Sequence, residues 1–320
     1  MKTMINLTDS RYDLERFTSA QDLHTFLTGF DGIELMHLDT DFRGIISDDL
    51  VIGYHITQPE YWLDFWNGRM DLCAAEFDTP EKAVKYYKGS DPEALVRHFR
   101  TEYENACFHQ AEYMVIHVSD AGIFEEITGQ YHYTDGDVIR GFCEIINEAL
   151  PQQEDGPLVL LENLWQPGLT FLDPEMTALL LEGVRYPRKG IMLDTGHLMH
   201  TNPSLHTQKE AVSYIHQRLD EHGDLCRYIR GIHLNQSITG KVMKRFQAHP
   251  PVPASTYEER TAQLFDYIFQ IDLHRPFICE GVRELVERIA PLYLTYEFIS
   301  RDRAEHQNML RRQQRIYCCH

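Results

Sequence analysis

Six short apolar runs in this chain end on a residue able to bind a metal ion. VLLE closes on Glu162, IMLD on Asp194, YMVIH on His117, RGIH on His233, YLTYE on Glu297 and LVIGYH on His55. Imidazole nitrogen combined with carboxylate oxygen suits zinc, manganese or iron(II) better than magnesium or calcium, which prefer all-oxygen shells. Each residue alone has an ordinary explanation. A histidine at a strand end is usually hydrogen-bonded in place, and a glutamate there usually meets a Lys or Arg. Six such groups gathered in one buried place would be costly without a shared partner, so the set points to metal.

Gathering them is the work of the fold. Short apolar runs alternate with longer amphipathic ones, the pattern of βα units around a parallel sheet. The pattern predicts eight strands near 3–8, 32–37, 50–55, 113–118, 158–163, 190–194, 229–234 and 292–298. Helices are predicted over 133–149, 173–184, 208–222 and 256–270, with Asp173-Pro174 supplying a cap and a first-turn proline. The expected fold class is α/β, a single (β/α)8 TIM-barrel domain over residues 1–320. Insertions at about 56–112 and 235–271 are expected to shape its C-terminal mouth. In a closed parallel barrel the strand C-termini open on one face, so residues far apart in sequence converge there.

The most specific segments are GIMLDTGHLMH and GIHLNQS, with ENLWQPG after VLLE and the triplet Asp272-Leu273-His274. Together they resemble the endonuclease IV branch (AP endonuclease family 2) of the xylose isomerase-like TIM barrel superfamily, over about residues 30 to 300. The resemblance implies up to three metal ions. One would take His55, His117 and Glu162; a second would share Glu162 and add Asp194, His233 and Glu297; a third would take His197, Asp272 and His274. Zinc is the first expectation, with manganese or iron as alternatives, at one to three ions per chain.

The chain also departs from that pattern. Thirty-eight residues lie between His233 and Asp272, a longer interval than the endonucleases have, which makes His249 in QAHPP a fallback ligand. The first strand, INLTDSRYD, lacks the histidine-bearing opening of the endonucleases, and no segment aligns with their DNA-inserting loops. The isomerase and epimerase branch needs only Glu162, Asp194, His233 and Glu297 around one ion. There the two glutamates would move a proton and His197 would orient the substrate.

The remaining features bound the function. The formal charge of −19 disfavours a broad basic surface for nucleic acid or anionic membranes. No apolar run is long enough to span a membrane, and MKTMINLTDSRYDLERF has no signal-peptide core, so a cytoplasmic location is expected. Seven cysteines, an odd count, fit reduced thiols. The tail Tyr317-Cys318-Cys319-His320 reads as a frayed end that could bind metal adventitiously. Lys241, Lys244 and Arg245 could pair with phosphate if the second insertion folds over the mouth, although a solvated helix face is the commoner explanation. Trp62, Trp66 and Trp165 could stack on a sugar or base, although packing is their commoner use. No phosphate-binding loop, dinucleotide motif or serine elbow is present. The expectation is a metal-dependent hydrolase of a small phosphorylated sugar or nucleotide, with Glu162, Glu297 and His197 in catalytic roles. The alternatives are a sugar isomerase or epimerase using one ion, and a barrel that binds a ligand without turnover.

Overall fold

The computed structural model describes residues 1–38, 44–152 and 155–318, with side chains as far as 316. Cys319, His320 and the side chains of Tyr317 and Cys318 therefore lie outside the described residues. Eight parallel strands close in chain order: β1 (Lys2–Thr8), β2 (Gly32–Met36), β3 (Val51–His55), β4 (Tyr113–His117), β5 (Leu158–Glu162), β6 (Lys189–Asp194), β7 (Ile229–His233) and β8 (Tyr293–Tyr296). β8 pairs back onto β1 through Lys2 opposite Tyr293. All eight predicted strands form within a residue or two of their expected bounds. Both faces of each strand are covered, which is why the runs read as continuous hydrophobic sequence.

Side-chain parity decides what the barrel holds. Along β4, Met114 and Ile116 pack outward into the main core under the helices, while Tyr113 and Val115 belong to a separate inner cluster with Met4, Leu160 and Met192. The same alternation continued to the strand ends turns His117, Glu162, Asp194 and His233 inward as the top layer. Register fixes their neighbours: His117 stands opposite Glu162, and Asp194 opposite His233. Small residues make room below. A Cβ on Gly231 would meet Met192 Sδ at 2.6 Å, and one on Gly53 would meet the Tyr113 ring at 2.2 Å. Glycine is required at these two places by close approach.

The helices begin where their caps predict. Asp173 accepts from the Glu175 amide ahead of Pro174–Gly183, and Thr134 closes a capping box ahead of Asp135–Ala149. The first insertion forms the helices Leu63–Trp66, Met70–Phe77, Pro80–Tyr87 and Glu93–Phe108. The second forms Gly240–Ala248 and Tyr257–Ile271. They are tied across the mouth by Arg260 to Asp78 at 2.7 Å and Lys82 to Glu258 at 2.9 Å. An apolar cluster of Met243, Tyr267 and Ile271 packs the second insertion against Ile123 and Ile127.

Candidate metal centre

At the barrel mouth the carboxylate of Glu162, fully buried at the end of β5, faces four imidazoles. His233 Nδ1 lies 3.1 Å from it, His55 Nε2 3.2 Å, His197 Nδ1 3.3 Å and His117 Nε2 3.4 Å. Four sets of ligand atoms each fall within 4.8 Å of one another: the three expected sets (His55, His117 and Glu162; Glu162, Asp194, His233 and Glu297; His197, Asp272 and His274) and a fourth of Glu34, His55, His233 and Glu297. All nine residues named from the sequence are brought into this one region. His249 is not; it is exposed at the end of Gly240–Ala248.

Local structure explains how each ligand atom is aimed. Asp194 ends β6 and caps the helix Thr195–His200, its Oδ1 accepting from the His197 amide at 2.6 Å. That turn carries His197 one step beyond Asp194, toward Asp272 and His274. A Cβ on Gly196 would fall 1.9 Å from Asn235 Oδ1, so glycine admits the Asn235 side chain. Asn235 Nδ2 donates to Asp194 Oδ2 at 2.7 Å and to Glu297 Oε2 at 3.3 Å, holding the two carboxylates apart from each other. Asp272 and His274 follow the helix Tyr257–Ile271. Ser237 Oγ accepts the amides of Leu273 and His274, which locks the segment beside β7.

Three histidines have their tautomers set by neighbours that can only accept. His55 Nδ1–H donates to the Ile56 carbonyl at 3.0 Å, which aims Nε2 at Glu162 Oε2, 3.2 Å away. His197 Nδ1–H donates to the Asn163 carbonyl at 3.1 Å, leaving Nε2 toward Asp272. His233 Nε2–H donates to Glu34, leaving Nδ1 toward Glu162, Asp194 and Glu297. One ring nitrogen pinned and the other free toward carboxylates is the arrangement metal-binding histidines adopt. This donor set fits divalent transition ions.

Electrostatics point the same way. Burial pushes the Glu162 carboxyl up, yet the facing His233 and His117 hold it well below the usual range. Burial pushes His233 and His274 down, but surrounding carboxylates hold both well above an ordinary histidine. Asp194 is raised to about 7 by burial, against the pull of His197 and reinforced by Glu297 and Glu162. Protons thus do the work of compensating a crowded set of carboxylates. A cation of higher charge does it better, releasing protons as it binds.

Glu34 is the functional residue that the sequence reading missed. Buried in β2, it accepts from Tyr113 Oη at 2.6 Å, Thr295 Oγ1 at 2.9 Å and His233 Nε2 at 3.0 Å. An acidic residue at inward parity inside the apolar run GIELM was the available signal.

A cavity of about 420 Å³ opens beside the centre, with His117, His197 and Asp272 on its wall. Aromatic side chains line much of the rest, among them Tyr61, Tyr86, Trp165 and Tyr257. Among the described residues no Lys or Arg lines it. The basic residues of the second insertion take the solvated-face alternative. Lys244 Nζ donates to Ser204 Oγ, Arg245 donates to Gln270, and Lys241 is exposed, because the apolar face of their helix packs inward. Of the three tryptophans only Trp165 reaches the cavity. Trp62 is buried with its Nε1 donating to the Ser119 carbonyl, and Trp66 Nε1 donates to Glu144.

Comparison with known proteins gives the setting. The model of the xylose isomerase-like TIM barrel family matches residues 88–292. No curated protein sequence matches the chain. Among solved structures, AsfvAP:AG is similar at TM-score 0.50 and 12% identity, over 99% of this chain and 98% of that one. The 3-keto-D-glucoside 4-epimerase from E. coli is similar at TM-score 0.47 and 12% identity, over 100% of both chains. Endonuclease IV from Thermus thermophilus is similar at TM-score 0.45 and 13% identity, over 99% of both. Identities this low speak to the fold alone. Among the described residues no helix is long and apolar enough to cross a membrane.

Proposed function

The chain belongs to the xylose isomerase-like TIM barrel family, and on that premise we propose that it is a metal-dependent hydrolase of a small phosphoester. The observation that carries this reading is the sharing of Glu162 between two ligand groups, with His197, Asp272 and His274 forming a third set alongside. Bound divalent ions would supply Lewis acidity toward phosphoryl oxygens and neutralise charge that develops on a leaving oxygen.

The protein's own groups do the rest. Glu162 and Glu297 accept hydrogen bonds and so orient donors that enter the mouth. His197, pinned at the Asn163 carbonyl, sets the edge of the cavity where a substrate meets the centre. Aromatic and aliphatic side chains of the two insertions, among them Phe77, Tyr86, Tyr257 and Leu264, wall the cavity beside His117 and Asp272. The expected test is metal analysis combined with hydrolysis of bis(p-nitrophenyl) phosphate. Two or three tightly held ions and turnover that disappears in Glu162→Gln support the reading. A single ion with no ester hydrolysis refutes it.

A second reading has one observation in its favour. A cavity without a Lys or Arg suits an uncharged polyol, the substrate of a one-ion isomerase or epimerase using Glu162, Asp194, His233 and Glu297. Aldose–ketose interconversion with one bound ion would select it. A barrel that only binds its ligand would show neither turnover.

A further inference from the structure

Trp165 stands between two cavities, the one beside the metal centre and a second of about 260 Å³ behind it, and Glu126 lines both. The Trp165 indole donates to Glu126 Oε1 at 2.7 Å, and its ring lies 4.4 Å from that of His200. Around this tryptophan sit three side chains at least nine-tenths buried that each keep an acceptor without a hydrogen-bond partner: Glu126 Oε2, Gln166 Oε1 and His200 Nδ1. His200 is an acceptor there because its Nε2–H is committed to the Ile271 carbonyl at 3.1 Å. Buried acceptors left without donors are costly, so donors are missing on both sides of Trp165: Gln166 lines the first cavity, His200 the second and Glu126 both.

Charge narrows what that donor is. Among the described residues neither cavity has a Lys or Arg on its wall, while Glu60, Glu76, Glu126 and Asp272 all line the first. Burial pushes the Glu126 carboxyl up to about 7, and the Gln166 and Trp165 side chains draw it back only in part. Tyr131 and Tyr267 add rings on the second side, and an ammonium is attracted to aromatic faces as well as to a carboxylate. An ammonium brings three N–H donors against a hydroxyl's one, and its positive charge favours the ionised form of Glu126 over the neutral form that burial favours.

We propose that the wall formed by Glu126 and Trp165 is a recognition site for a primary ammonium group carried by the substrate, with Glu126 as its specificity-determining residue. This rests on the reading of the mouth as a substrate site, and on no particular reaction there. The wall adjoins the metal end, since the Trp165 ring lies 5.2 Å from that of His197.

The test is a ligand-observed NMR titration of the full chain with benzylamine and with benzyl alcohol, which share a ring and differ in the ammonium. Metal content is measured on the same samples. The site predicts benzylamine binding tighter by about tenfold or more. It predicts the two ligands coming within about threefold in Glu126→Gln, whose melting temperature and metal content stay close to those of the parent chain. Equal binding, no detectable binding of benzylamine, or a preference that survives in Glu126→Gln overturns the proposal. Amine selectivity in a chain that holds no metal would leave this site standing and remove the hydrolase reading. Metal without amine selectivity would do the reverse.

Discussion

Replacing Glu34 by Gln tests whether the metal centre is held from behind as well as from its own ligands. Glu34 Oε1 lies 2.9 Å from His233 Nε2, while Oε2 accepts from Tyr113 and Thr295. A glutamine keeps one oxygen, which the two hydroxyls occupy, and sets an NH2 against the imidazole. His233 then relieves the clash of donors by moving its proton to Nδ1, the nitrogen that faces Glu162 at 3.1 Å. That removes a ligand lone pair without touching a ligand residue. Losing an orienting partner of this kind typically costs about 10- to 100-fold in metal affinity, or about 1.4–2.8 kcal/mol. The cost should fall on the Glu162, Asp194, His233 and Glu297 group and spare the other two. Glu34→Ala, by contrast, strands three buried donors and should lower fold stability by about 2–5 kcal/mol. Chelator-competition titration of Glu34→Gln, with its melting curve as a control, reads the effect. Metal affinity within about twofold of the parent chain, in a folded variant, would refute the orienting role.

Glu162→Gln removes the carboxylate shared by two groups, so metal analysis after dialysis should find the His197, Asp272 and His274 ion retained and the others lost. Unchanged stoichiometry would contradict the shared role. Gly53→Ala places a Cβ 2.2 Å from the Tyr113 ring, and should lower stability by about 1–3 kcal/mol by displacing the tyrosine that donates to Glu34; a neutral denaturation curve would refute it. His306 is buried with neither ring nitrogen partnered, and burial pushes its pKa down to about 4. Its neutral form is the native one, so its contribution is present above an unfolded pKa of about 6.5 and is lost as pH falls toward 4. His306→Phe should therefore stabilise the fold by about 1–2 kcal/mol at neutral pH, with an advantage that grows by about 3 kcal/mol on going to pH 4. An advantage independent of pH would contradict this account.

The strands were legible because a parallel barrel buries both faces of each one, leaving short apolar runs that stop at polar ends. The inward direction of Glu162, Asp194 and His233 follows from counting back by twos from those ends. Glu34 was not legible in the same way. It lies inside its run, 199 residues from His233, and a register shift at Ile33/Glu34 intervenes between β2 and β3. Asp272 and His274 were expected despite their long separation from His233. The interval is filled by Gly240–Ala248 and Tyr257–Ile271, the second of which brings the chain back to Ser237. The basic residues of the second insertion could be placed only conditionally from the sequence, because charge alone does not orient a helix. Val242, Met243 and Phe246 do, and they turn Lys241, Lys244 and Arg245 away from the mouth. The acceptor-rich wall around Trp165 joins Glu126, Gln166 and His200, which share no motif in sequence.

An anomalous-scattering map from crystals of the metal-loaded chain tests the central claim most directly. Three ions are predicted at the barrel mouth, two of them touching Glu162 and the third held by His197, Asp272 and His274. A single peak within the Glu162, Asp194, His233 and Glu297 quartet, or none at the mouth, would contradict the multinuclear centre.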